Sequence, residues 1–169
     1  MSDIVLRPEL QNDADAITKL TSAAFSGHPY SNGTEPKIIE ALRASGDLTL
    51  SIVAADQESL IGQITFSPIT INGVHDGWFG LGPVSVLPDR QGEGIGSKLV
   101  RCGLEDLKAR LAKGCVLVGD PAYYQRFGFQ GDCGLTYGDV PAAYIQALVL
   151  TPPVRTGAVR YSDAFESAA

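Results

Sequence analysis

Residues 89–100 read DRQGEGIGSKLV, with glycines at the alternate positions 92, 94 and 96. Glycine weakens strands and helices alike. Three of them where an apolar run hands over to a helical pattern therefore ask for a reason. A strand that delivers a glycine-rich turn to a helix N-terminus can seat an anion. The first helical N–H groups are unpaired, the dipole there is positive, and glycine lets a phosphate approach the main chain. Arg90, Lys98 and Arg101 are near enough in sequence to add positive charge. Two common owners of such turns do not fit. The spacing of Lys98 fails the GxxxxGK[ST] pattern. A dinucleotide GxGxxG counted from Gly92 needs its third glycine where Ser97 stands, and no acidic residue ends a strand at the expected offset of about 20 residues.

Other side chains offer less. Cys102, Cys115 and Cys133 are far apart, with no CxxC and no histidine spacing for zinc, so no metal is expected. Such a sparse, odd set reads as reduced thiols. His28 and His75 lie in polar loops and read as solvent-facing. Asp76 precedes the apolar run 78–86, Glu93 lies inside the glycine turn, and Asp120 stands where it can cap a helix opening at Pro121. Tyr123 and Tyr124 share the short helical stretch PAYYQRF.

The elements that must position these residues alternate between two periods. DIVLRPEL reads as a first strand stopped near Pro8. NDADAITKLTSAAF is a helix capped by Asn12 or Asp13, with Ile17, Leu20 and Ala24 on one face. EPKIIEALRASG is a second helix, with Ile38, Ile39 and Leu42 apolar. LTLSIVAAD and SLIGQITFSPITI are strands, and in the latter Ile64 and Phe66 alternate with polar neighbours. In WFGLGPVSVLP, Gly82–Pro83 implies a bulge or local splaying. The helix after the glycines stacks Ile95, Leu99, Leu107 and Leu111, and Gly114 is expected to close it. CVLVGD, GFQGDCGLTYG and AYIQALVL supply later strands. The order is mixed α/β in one domain.

Composition narrows the classes. The chain has 169 residues, 44% hydrophobic and 19% charged, which suits a single globular core. The formal net charge of −6 disfavours a nucleic-acid binder. MSDIVLRPEL has no apolar signal core, and no stretch reaches transmembrane length. A cytoplasmic protein with no membrane partner is the expectation.

Gln91-x-x-Gly94-x-Gly96, after LGPVSVLPD, resembles the acetyl-CoA motif of the GNAT superfamily of N-acetyltransferases. CVLVGDPAYYQRFGF resembles that family's later motif, a strand and short helix ending in Y-x-x-x-G-F, here Tyr124, Gly128 and Phe129. Two motifs in this order are far more specific than either alone, and the element order matches across nearly the whole chain. LGPVSVLPDRQGEGIGSKLV and GDPAYYQRFGF are similar in particular to the YhbS-like branch. The resemblance implies one domain over 1–169 with the GNAT α/β (α+β) fold, its mixed central sheet splayed at the CoA site. The core would span about 3–152, and the tail 153–169 would add an edge strand.

The resemblance also implies roles. The pyrophosphate of acetyl-CoA would lie on the backbone amides of Gln91, Gly92, Glu93, Gly94, Ile95 and Gly96, with Ser97 at the helix start. Free backbone at Val84, Ser85 and Val86 would pair with the pantetheine arm as a strand does. The amide of Val84 or a neighbour would polarise the thioester carbonyl. Tyr124 matches the general acid that protonates the departing thiolate. The base stays open. Many relatives carry a glutamate on the strand before the turn, but WFGLGPVSV has no acid. An acceptor pocket is expected where FSGHPYSNGTE meets the later strands, with Tyr30 and Glu35 placed to hold an ammonium group. The acceptor is an amine on a small molecule, protein or peptide. Dimers are common in such folds, so a homodimer stays open. The competing readings are a non-catalytic acyl-CoA sensor of the same fold, motivated by the missing strand carboxylate, and an unrelated α/β nucleotide binder.

Overall fold

The computed structural model describes residues 3–29 and 31–167. Fourteen segments follow in order: β1 (Ile4–Pro8), α1 (Ala14–Phe25), α2 (Glu35–Ser45), β2 (Leu50–Asp56), β3 (Ser59–Pro68), β4 (Thr70–Ile71), β5 (Trp78–Val86), α3 (Ile95–Ala109), β6 (Gly114–Val118), α4 (Pro121–Tyr124), β7 (Leu135–Thr136), β8 (Ile145–Val149), β9 (Gly157–Arg160) and α5 (Ala164–Ser167). The main sheet has the order β1-β2-β3-β5-β6-β8, and a small second sheet has the order β4-β9-β7. Every pairing in the main sheet is antiparallel except β5 with β6. That parallel pair is the one joined through α3, as a crossover requires.

Period-two alternation sends the two faces of the sheet to different partners. Ile52, Ile64 and Phe66 meet Leu99, Val100 and Leu107 of α3. Gly103 makes this approach work, because a Cβ there would run into the Phe66 ring. On the opposite face Val53 meets Ile17 of α1 and Ile39 of α2. The polar neighbours that alternate with Ile64 and Phe66 also fall on that face. Gln63, Thr65 and Ser67 are fully buried there, since α1 packs on β3 and β5. Gln63 Nε2 donates to Thr65 Oγ1 at 2.6 Å and to Ser51 Oγ at 3.1 Å, so part of the row satisfies itself.

Three local expectations are corrected. Asp13 precedes α1 but does not cap it with its side chain. Its carboxylate accepts the Leu10 N–H at 2.7 Å and bonds from Arg7 Nη1 and Nη2, at 2.7 and 3.2 Å. A charge-assisted fork outweighs a single amide bond. Next, α3 ends at Ala109 rather than at Gly114, which opens β6. Leu111 adopts a left-handed φ of 62° that ends the helical path, and its side chain is 85% exposed instead of continuing the apolar stripe. Lastly, the tail does form a strand, but β9 lies between β4 and β7 in the second sheet and not at the edge of the main one.

Candidate active site

The site begins with a defect in strand pairing. β5 and β6 pair only through Trp78↔Gly114, Phe79↔Cys115 and Gly80↔Val116. Beyond that point β5 runs on with β3 as far as Val86, while β6 stays with β8 as far as Val118. The cause lies in the sequence of β5. Its register with β3 steps from Phe66↔Leu81 to Ile64↔Val84, so Gly82 and Pro83 form a bulge opposite Thr65. A bulge bends its strand, and proline has no N–H for a ladder. From Leu81 to Val86 the side of β5 turned toward β6 therefore has no ladder partner among the described residues. This is the splaying expected at Gly82–Pro83, and Val84, Ser85 and Val86 lie on it. The Ser85 side chain is buried toward α1, with its Oγ 3.5 Å from Thr21 Oγ1.

The glycine turn follows this free edge. Gly92 and Gly94 both hold left-handed φ, 82° and 80°, and a Cβ at either would meet nothing within 4 Å. These two glycines thus answer a backbone need and face open space. Gly94 leads into α3, and no side chain caps that helix. The first bond inside it runs from the Lys98 N–H to the Gly94 carbonyl, 3.1 Å. The amides of Ile95, Gly96 and Ser97 consequently have no partner within the helix. Gly96 is a different case. A Cβ there would lie 3.5 Å from the Tyr123 hydroxyl, an ordinary contact.

The charges near the turn differ from the sequence expectation. Arg90 is bound to Glu93 at 2.9 Å and to Asp56 at 2.9 Å, and both bonds hold its guanidinium firmly in the charged form. It neutralises Glu93 instead of adding free charge to the turn. Arg101 lies over the Phe127 ring, 4.9 Å from its centroid. Lys98 is exposed on the first turn of α3 and makes no ion pair among the described residues. Gln91 folds back, donating from Nε2 to the Val86 carbonyl at 3.2 Å.

On the far side of the split, Asp120 caps α4 by accepting the Ala122 N–H at 2.9 Å, as expected. The Tyr123 hydroxyl sits 3.2 Å from Ser97 Oγ, tying α4 to the start of α3, and Arg126 stacks 4.2 Å over the same ring. Tyr124 turns inward. Its ring meets Tyr123, Phe127 and Phe129 at centroid distances of 4.9, 6.1 and 6.2 Å. Gly119 makes room for it, since a Cβ there would lie 2.6 Å from Tyr124 Cε2. Burial, with Tyr123 adding to it, pushes the Tyr124 phenol up to about 12. A phenol so shifted keeps its proton throughout the neutral range.

A cavity of about 240 Å³ opens at the split, where Gly82 and Pro83 of β5 face Val118 of β6. Glu35 at the start of α2 lines it, as expected from the sequence, whereas Tyr30 lies outside the described residues. Phe25, the first residue of the loop expected there, also lines it with Ile38 and Leu81, whereas Tyr137, Tyr161 and Phe165 are walls that sequence reasoning missed. Burial pushes the Tyr161 phenol well up, with Cys115, Tyr137 and Tyr124 contributing. Tyr123 was not singled out from the sequence. Its contact with Ser97 could have been suspected from the pairing of the two motifs, but the tail aromatics carry no such signal.

The remaining acids and histidines lie elsewhere or are engaged. Asp76 bonds Lys113 at 2.7 Å and Arg155 at 3.0 Å, which hold its carboxyl below the ordinary value. His75 Nδ1 lies 3.0 Å from the Ile69 carbonyl oxygen. His28 packs edge-on to Phe25, 6.1 Å between centroids. Among the described residues no three His, Cys, Asp or Glu are grouped to hold a metal ion, and no helix is long and apolar enough to cross a membrane.

A split parallel pair beside an uncapped, glycine-led helix matches a known architecture. Residues 6–131 match the family model described as an acetyltransferase (GNAT) domain. The chain belongs to the GNAT acetyltransferase family. It is 36% identical over 128 residues to a protein of Escherichia coli (strain K12) named as an uncharacterized N-acetyltransferase, YhbS, covering 75% of this chain and 74% of that one. Its fold superposes on a GNAT family acetyltransferase from Brucella melitensis, solved in complex with acetyl-CoA, with a TM-score of 0.88 and 47% identity over 98% of this chain and 99% of that one. The Escherichia coli YhbS structure, a complex with CoA, gives a TM-score of 0.89 at 31% identity, over 98% and 93% of the two chains. This GNAT acetyltransferase thus shares with both solved relatives the mixed, single-domain fold expected from its two motifs.

Proposed function

We propose that this GNAT enzyme transfers the acetyl group of acetyl-CoA to a primary amine by direct attack. One observation carries the reading: the free edge of β5 leads straight into an uncapped helix start fronted by two left-handed glycines. The open space at Gly92 and Gly94 fits a diphosphate, and the free edge fits an amide-bearing arm. Acetyl-CoA supplies an activated thioester there.

The backbone from Gln91 to Ser97 binds the pyrophosphate. Val84, Ser85 and Val86 pair with the arm and orient the thioester, and an amide among them polarises its carbonyl. Tyr124 holds a proton for the departing thiolate, which its raised phenol retains at neutral pH. No acid on β5 takes the amine's proton. We take residues 1–169 as one acetyltransferase domain acting in the cytoplasm.

The test is ligand-induced stabilisation followed by turnover. A ligand stabilises only the state it binds. Acetyl-CoA should raise Tm while ATP and NAD do not, and CoA thiol should then appear with an amine panel. A shift with NAD alone would overturn the reading. Tight CoA binding without any turnover across amines and peptides would favour the sensor instead.

A further inference from the structure

The cavity at the split was expected to receive an amine, but its walls say more than that. We infer that the acceptor is a small primary amine on an apolar, ring-sized body: Glu35 draws its ammonium into the cavity, one proton leaves to solvent, the neutral nitrogen attacks the thioester carbonyl, and its second proton replaces the one Tyr124 gives to the departing thiolate. The inference rests on the acetyl-transfer reading, which supplies the second substrate.

Position is the first argument. Gly82 and Pro83 on one side and Val118 on the other are the strand edges that part beyond Gly80 and Val116. A molecule in this cavity therefore faces the gap in which the thioester would lie. Charge is the second. Glu35 is the one charged side chain among the described residues that line the cavity. Ser31 Oγ donates to Glu35 Oε1 at 2.6 Å, which orients the carboxylate and leaves Oε2 without a protein partner among the described residues. Oε2 can then accept an ammonium N–H in a charge-assisted bond. No lysine, arginine or histidine stands among those lining residues to receive a phosphate or carboxylate. An amino acid or a phosphorylated amino sugar would bring an anion that finds no partner and is repelled by Glu35.

Wall chemistry and volume complete the case. Phe25, Tyr137, Tyr161 and Phe165 supply aromatic faces from α1, the loop after β7, the segment after β9, and α5. They suit an apolar body, and their faces attract a cation at its edge. The cavity, about 240 Å³ and open to solvent on one side, has room for a ring with a short amine-bearing chain. A polyamine finds one carboxylate in this lining and gains no second ion pair from it.

The test uses the full chain and 2-phenylethylamine as probe, against spermidine and a lysine-containing peptide, with acetylated product measured by mass spectrometry. We expect kcat/KM for 2-phenylethylamine to exceed both by at least about 10-fold, the scale of one or two well-packed methylenes or a lost ion partner. Glu35→Gln should raise the KM for that amine about 10-fold or more. It should leave acetyl-CoA stabilisation and the Tm of the free protein unchanged. Phe165→Ala should raise the amine KM several-fold, again without touching the donor. Preference for spermidine or the peptide, or an unchanged amine KM in Glu35→Gln, would overturn the inference. The two readings fail separately. Absence of acetyl-CoA stabilisation sinks the donor reading, whereas stabilisation with turnover of the peptide and none of 2-phenylethylamine sinks this one.

Discussion

The two halves of the site are built in different materials. The proposed donor half is main chain: a strand edge from Leu81 to Val86 without a ladder partner among the described residues, two left-handed glycines, and α3 amides with no partner within the helix. The proposed acceptor half relies on side chains: one carboxylate and four aromatic rings, drawn from segments far apart in the chain, stand among its walls. A diphosphate and an amide arm offer the same groups in every turnover, so fixed backbone suffices to bind them. An acceptor must be told from other amines, and only side chains differ enough to do that. Substitutions should accordingly split by half, moving either the donor constants or the amine constants.

The largest effect should come where the halves meet. Tyr124→Phe keeps the ring and its packing but removes the proton. It should lower kcat by roughly 100- to 10,000-fold, the usual scale of a positioned acid, with acetyl-CoA KM unchanged. The wild-type pH profile should show no loss of this acid on the alkaline side until near the raised phenol value of about 12. Full turnover in the variant would remove Tyr124 from the reaction.

Next comes the donor half. Gly94→Val forces a β-branched residue into φ 80°. Strain of about 1–3 kcal/mol should raise the acetyl-CoA KM about 10- to 100-fold and leave the amine KM alone. If the amine KM moved as much, the separation of the halves would break. Gly119→Ala tests the junction more gently. Its Cβ would lie 2.6 Å from Tyr124 Cε2, so the ring must shift. A displaced acid should lower kcat about 10-fold, with donor binding kept.

The smallest effect concerns the frame that carries the acceptor half. Asp13 accepts two bonds from Arg7 and one from the Leu10 N–H, which braces the entry to α1. Asp13→Asn should cost about 1–2 kcal/mol of stability, read from chemical denaturation, with kcat little changed. The sign with pH is definite. Arg7 holds the Asp13 carboxyl below its ordinary value, so the native state releases that proton more readily. The contribution is complete above the ordinary value near 4 and is lost as pH falls through the lowered one. Wild type and variant should therefore converge in stability on acidification.

The donor half was legible because its demands are local. A left-handed φ at alternate positions admits few residues but glycine, so Gly92 and Gly94 show in the sequence, and the Gly82–Pro83 bulge shows for the same reason. The spacing of Tyr124 to Gly128 is a single turn ending in a left-handed glycine, again a local rule. Arg90 was misread on two counts: its partner Glu93 stands only three residues on and was overlooked, while its partner Asp56 stands at the end of another strand, where nothing local announces the pairing. Leu111 was misread because four-residue spacing continues to look helical after the backbone has turned.

By itself, then, the amino-acid sequence determined the family, the element order and the left-handed glycine turn before α3, since backbone conformation and periodicity are written in neighbouring residues. Tertiary structure alone decided how far β5 parts from β6, which charges survive near the turn, and what lines the cavity at the split. Each of these depends on contacts across the chain. Phe25, Glu35, Tyr137, Tyr161 and Phe165 become neighbours only when α1, α2 and the tail close over the split sheet.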